Sequence, residues 1–367
     1  MNYITSLLSI LLFISCSAKD NEPDPSTSNI KIMNSSAYFA SSFFIDESHH
    51  LYVCGNNSYN QLAYAQASSQ YLPLKTMDDV SQVAPGEYHT LILKTDKTLW
   101  VVGSNDYGQL GTGNTNNLGT PKQIAENVIA MAAGKNFSFY IKSDHTLWAM
   151  GNNVFGQLGN GNTEYQYTPV KVMENVQAVQ AATAHTLILK TNGTLWACGN
   201  NSAYQLGDGT DKHKSTPVKI ASGVVQMSAG NQFSVFVKSD GSLWGVGFDG
   251  AGQLGDNSTY TVHNPKQILN DVAEAATGYG HTLALKTDGT LWVAGLNDFG
   301  QLGNGNAGNM GRFEWVLKDV TSISAGSSHS IAIKKDGSVW TTGSNGSGQL
   351  GTGTGLSDRN HFEQVKF

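Results

Sequence analysis

The stretch GSNDYGQLGTGN at 103–114 sets Gly108, Gly111 and Gly113 close together, and clustered backbone N–H groups of this kind can cradle a phosphate. A phosphate loop of the G-x-x-x-x-G-K-[ST] kind also needs a lysine, a hydroxyl side chain and a following helix, and neither the lysine nor the helix follows here. His89, His185, His281 and His329 are candidate metal ligands or general bases. Asp208, Asp211 and Asp256, in GDGTD and GDNS, are candidate calcium ligands, but calcium takes about six to eight oxygens and no one stretch supplies them. There is no H-E-x-x-H, G-x-S-x-G or C-x-x-C. The chain therefore reads as non-enzymatic, with no cofactor and no metal.

Repetition decides how these residues are read. The glycine-rich stretch recurs from Gly151, Gly199, Gly247, Gly295 and Gly343, with a weaker copy from Gly55. Trp100, Trp148, Trp196, Trp244, Trp292 and Trp340 precede the copies at intervals of 48 residues, and one more step back lands on Tyr52. A period of this size marks a solenoid, a propeller or an array. Seven nucleotide sites are implausible, whereas one turn used seven times is not. The histidines then share one repeat position with Phe137, Phe233 and Ser41, which points to a half-buried packing site with the imidazole bonded to backbone. Asp96, Asp144, Asp240, Asp288 and Asp336 become turn residues rather than paired acids.

The elements that position these residues are strands. The apolar pattern alternates with period two, as in HTLILKTDKTLWVVG from His89. Asp-Gly in TDGT (287–290) and Asn-Gly in TNGT (191–194) predict tight hairpins between the second and third strands of a repeat. The first strand is rich in small residues (MAAG, MSAG, SISAG), as a strand lining a crowded axis must be. The tryptophans fall on the third strand, where a large ring can wedge between neighbours, a burial worth about 1.5–3 kcal/mol. Four antiparallel strands repeated seven times predict an all-β fold, a seven-bladed β-propeller spanning 29–367. Cys54 and Cys198 share a core position with Val102 and Met150 and lie three blades apart, beyond disulfide reach.

The net charge of −6 and pI of about 5.9 exclude a nucleic-acid surface, which needs clustered Lys and Arg. Residues 1–15 carry an apolar run too short to span a bilayer and suited to a signal peptide. They end in FISC, which resembles the lipobox of bacterial lipoproteins and implies lipidation of Cys16. Phe13 stands where leucine is usual, and no Lys or Arg precedes the run. Residues 16–28 then form a polar tether reaching about 40 Å when extended. Export, and an outer-membrane lipoprotein displayed at the surface, are the expectation.

The repeat G-x-x-H-T-L-x-L-K-x-D-G-T-L-W-x-x-G-x-N-x-x-G-Q-L-G-x-G, clearest from Gly278 to Gly305, resembles that of the regulator of chromosome condensation family. The resemblance covers the chain beyond the tether and implies a seven-bladed propeller. Founding members are guanine-nucleotide exchange factors for a small GTPase, and a secreted bacterial relative inhibits β-lactamase by covering it with one face. Exchange depends on an inserted β-wing, for which the unbroken 48-residue spacing leaves no room here.

What varies between repeats is the segment after each GQLG. Loops joining strands one to two and three to four lie on one face of a propeller. The sequence thus predicts a face carrying Tyr64, Tyr71, Tyr165, Tyr167, Tyr260, Phe313 and Trp315 with Lys212, Lys214 and Arg312. Aromatics with Arg are typical of protein contacts. The expectation is a monomeric binding module with a protein partner. The alternative is a glycan, stacked on the same rings, with hydrolysis if two carboxylates face each other there.

Overall fold

The computed structural model describes residues 30–66, 68–353 and 355–367. Cys16 and the segments assigned to signal peptide and tether lie outside them. Every regular element among the described residues is a β-strand. They form seven antiparallel four-stranded sheets, each built from consecutive strands: blades 32–77, 80–125, 128–173, 176–221, 224–269, 272–317 and 320–364. In the third blade the strands are Val128–Ala133, Phe137–Lys142, Leu147–Gly151 and Gln166–Met173.

Because each blade is one continuous segment, the ring closes without strand exchange. Side chains of the last blade pack on the first instead: Ile331, Ile333, Val339 and Val365 meet Ile32, Phe44 and Cys54. The C-terminal Phe367 sets its ring edge-on to Phe44 and Tyr52, at 5.4 and 5.6 Å. The second strand of every blade is buried along its length and the outermost is largely exposed. The apolar cores therefore lie between blades, as where Trp196 of the fourth blade packs on Phe139, Ile141 and Leu158 of the third.

The tryptophans are half-buried rather than fully buried. Trp100 Nε1 donates to Thr98 Oγ1 (2.9 Å), which donates to Asp96 Oδ1 (2.6 Å), while Lys94 Nζ lies 5.7 Å from the ring centre. Asp, Asn, Thr and Ser build the same relay in the other five tryptophan blades, for instance Asn192, Thr194 and Trp196. The hairpin aspartates thus lock the turn and orient the indole. The ammonium over each ring face adds a cation–π contact of about 0.5–1 kcal/mol. Cys54 and Cys198 are buried free thiols.

Candidate binding face

The GQLG segments are turns locked by buried amides. Asn105 Oδ1 accepts from Leu110 N (2.9 Å), its Nδ2 donates to Asn114 O (2.8 Å), and Gln109 Oε1 accepts from Tyr107 N (2.9 Å). Gly108 and Gly111 have φ of 79° and 67°, where a side chain is strained. A Cβ on Gly108 would also lie 2.8 Å from Tyr167 Cα of the next blade. No free N–H cluster remains for a phosphate at this turn.

The four histidines are fully buried, not half-buried, and their partner is a hydroxyl rather than backbone. His89 Nε2 meets Ser138 Oγ of the next blade at 2.8 Å, and that hydroxyl donates to Gln109 O (2.8 Å). The serine proton is thus committed, so Nε2 carries a hydrogen and donates. Nδ1 is left bare, buried and without a partner in all four rings. Burial pushes His89, His185 and His281 down to about 3 and His329 to about 4. These imidazoles are neutral and closed off from solvent. Each faces a serine (138, 234, 330, 42), whereas Phe137, Phe233 and Ser41 precede blades that carry threonine there (186, 282, 90).

The ten residues assigned to the binding face are not all brought together. Trp315 is the sixth residue of an outermost strand, Met310–Leu317, and pairs with Trp292. It lies on the circumference towards the opposite end of the blade, where the other blades carry Lys or Gln. Phe313 occupies the slot of Pro121, Pro169, Pro217 and Pro265, its ring against Gly255 of the preceding blade, and belongs to an interblade core. Tyr64 folds back onto Phe43 and Leu62, its hydroxyl donating to Ser68 O. Tyr71 and Tyr167 lie over Gly348 and Gly108 of the preceding blades yet remain 50% and 44% exposed. Tyr165 sets its edge on Tyr107 at 5.7 Å. Tyr260 is 81% exposed, Arg312 is exposed, and Lys212 and Lys214 are paired with Asp211 and Asp208.

A second set of aromatics on the same face comes from the strand one to two turns (Phe39, Tyr88, Tyr279) and from the start of the glycine-rich loops (Tyr59, Phe248, Phe299). Phe39 lies 5.5 Å from Tyr88, which lies 4.8 Å from Tyr59, forming a run across the junction of the first two blades. Phe39 holds φ at 48°, a conformation costing about 1–3 kcal/mol for such a residue. Beside it Glu87 pairs with Lys135 at 3.3 Å. Tyr279, Phe248 and Phe299 add exposed rings. Comparing G-x-x-H turns would have found Phe39, Tyr88 and Tyr279: the first repeat reads Tyr38-Phe39-Ala40-Ser41 where the others begin with Gly or Ala.

Tyr38, with Ala229, Thr277 and Ala325, lines both the central channel, a cavity of about 270 Å³, and the smaller recess at its loop-face mouth. The channel wall is Ser, Thr, Asn, Gln and Ala, with Glu274 its one charged side chain among the described residues. The two carboxylates that come together beneath the loop face, Asp249 and Asp256, are both buried, and Lys266 Nζ bonds Asp256 at 2.8 Å. They do not flank a cleft.

Family models for the regulator of chromosome condensation (RCC1) repeat match the chain at residues 96–141, 144–189, 192–237, 240–285 and 288–333, and a second model matches six segments between 80 and 349. No curated protein matches the sequence. Among solved structures, human WBSCR16 is similar at 24% identity and a TM-score of 0.78, over 87% of this chain and 94% of that one. Yeast RCC1 (Prp20), crystallised bound to Kap60, is similar at 21% identity and 0.77, over 98% and 91%. Prp20p of Saccharomyces cerevisiae, described with its binding to Gsp1p and histones, is similar at 22% identity and 0.78, over 92% and 88%. At these identities the likeness is one of fold.

Proposed function

The chain belongs to the RCC1 repeat family, and on that premise we propose that it is a non-enzymatic binding module that engages a protein partner through its loop face. The observation that carries this reading is the run Phe39, Tyr88, Tyr59, held in place by a strained backbone and left partly exposed with a Glu87 and Lys135 pair at its edge. Aromatic anchors ringed by charge are the composition of protein-contact hot spots. Yeast Prp20, of the same fold, is known bound to the protein Kap60. The burial of the Asp249 and Asp256 side chains favours contact over hydrolysis. The polar tether and Cys16 complete the proposal: an exported, lipid-anchored propeller held clear of an outer membrane.

The test is affinity capture from outer-membrane and culture fractions with the untethered propeller, beside a glycan array. Tyr59→Ala and Tyr88→Ala should each weaken the captured protein by about 30-fold, the equivalent of a hot-spot loss of about 2 kcal/mol. Retained affinity in both, or binding confined to the array, refutes the protein-contact reading.

A further inference from the structure

Two acids stand at amide positions of the repeat, one where all six other blades carry Asn and one where three of the other six carry Asn or Gln (Asn34, Gln82, Gln226). Six blades place an asparagine (57, 105, 153, 201, 297, 345) under the GQLG turn, with Oδ1 accepting from the leucine N–H and Nδ2 donating to carbonyls of the following loop. In the fifth blade the residue is Asp249. Its Oδ1 accepts from Leu254 N at 2.8 Å, as an asparagine would, but its buried Oδ2 has no partner. The residue seven positions on, a partner of Nδ2 in most blades, is here Asp256, so carboxyl oxygen meets carboxyl oxygen.

The channel wall repeats the pattern. Gln226 clasps Ala275 of the next blade, accepting from its N–H (3.3 Å) and donating to its carbonyl (2.8 Å). One blade on, the equivalent residue is Glu274, which accepts from the N–H of Ile323 and as a carboxylate has no donor for the carbonyl.

We propose that Asp249 and Glu274 are held as neutral carboxylic acids that act as amide surrogates, making the fifth-blade turn and the adjoining channel wall sensitive to pH. An O–H donates where the amide N–H would: Asp249 to Asp256, and Glu274 to the Ile323 carbonyl. Loss of the Asp249 proton leaves a buried charge facing oxygen, which is costly, and loss of the Glu274 proton leaves a half-buried carboxylate against the Ile323 carbonyl. The charged groups facing Asp249 are Asp256 and Lys266, with Arg312 backbone-bridged to Asp256; Lys266 is ion-paired with Asp256, and its pull on the Asp249 charge is weaker than the opposing effects of burial and Asp256. Among the described residues, the phenol of Tyr38 is the one other titratable group lining the channel with Glu274. Burial pushes both carboxyls up to about 7.

The sign follows from linkage. An acid whose folded value is raised contributes stability that is present below its unfolded value near 4 and lost as pH rises to about 7. Asp249→Asn and Glu274→Gln remove that dependence. Each variant should match wild type in urea midpoint near pH 4 and exceed it at pH 8, the difference opening between those values. Hydrogen exchange in 254–263, corrected for its intrinsic pH dependence, should rise at least tenfold from pH 6 to 8 in wild type and stay level in Asp249→Asn. Carboxyl ¹³C NMR of the wild-type chain gives a readout independent of the variants. Both carbons should keep the protonated shift at pH 5.5 and titrate near neutrality. Either carbon already at its carboxylate shift at pH 5.5, or variant midpoints that run parallel to wild type, overturns the proposal.

Discussion

His281→Phe tests how the blades are joined. The ring is fully buried, Nε2 meets Ser330 Oγ at 3.0 Å, and Ser330 donates onward to Gln301 O at 2.7 Å. Phenylalanine deletes one hydrogen bond, a loss of about 1 kcal/mol. It also removes the orphaned Nδ1, whose burial costs about 1–3 kcal/mol. Ser330 keeps its own acceptor, so the net change should lie within about 1 kcal/mol of zero, with stabilisation as the more natural sign. Phe137 and Phe233 precede threonine blades, so adding Ser330→Thr should recover stability, with a coupling of about 0.5–2 kcal/mol in a double-mutant cycle read by urea denaturation. The acid limb supplies a second readout. A histidine lowered from 6.5 to about 3 destabilises the fold as pH falls through that window, by roughly 5 kcal/mol in full at about 1.4 kcal/mol per pH unit. His281→Phe should therefore hold its midpoint further into acid than wild type. A loss above about 3 kcal/mol at pH 7, or zero coupling with Ser330→Thr, would refute the pairing argument.

Two further perturbations separate turn chemistry from ligand chemistry and test export. Gly300→Ala should cost at least about 2 kcal/mol, because φ is 76° and the added Cβ would lie 2.6 Å from Arg359 O and Asn360 Cα; calorimetry with GTP or ATP should show no binding to either form. Full-length protein made in a Gram-negative host should incorporate labelled fatty acid and lose the label in Cys16→Ala, while an unlabelled wild type would rule out the lipid anchor.

The fold was legible because it rests on spacing. A tryptophan every 48 residues, period-two alternation and Asp-Gly or Asn-Gly hairpins each predict the same seven sheets, and the structure has them. The face was only partly legible, because the cores lie between blades and a side chain's neighbour is often in the next repeat. Phe313 reads as a loop aromatic in its own repeat, and only the contact with Gly255 of the preceding blade reveals a ring in a proline slot. The histidine position tolerates phenylalanine, which suggested a half-buried site. The full burial and the serine partner become visible only when each residue is set beside the one 49 positions on.

Setting a residue beside the one it faces in the next blade, 59 positions on for the first glycine of GQLG, sorts departures from the repeat by how the facing residue accommodates them. Tyr204 stands where most blades have the first glycine of GQLG, and the facing residue is His263, stacked on it at 3.8 Å. Asn60 fills the same position in the first blade and faces Gly119, which gives it room. Such pairs adjust to each other and serve packing. Asp249 has no such adjustment, its carboxyl lying against Asp256 with its outer oxygen unpartnered, while Phe39 is met across the junction by Tyr88 yet keeps a bulky ring at positive φ. Both positions carry a cost that the Tyr204 and Asn60 pairs do not, a φ of 48° under a bulky ring at Phe39 and an unpartnered buried oxygen at Asp249. They are the positions where a role beyond the fold should be sought: contact at Phe39, and proton binding at Asp249.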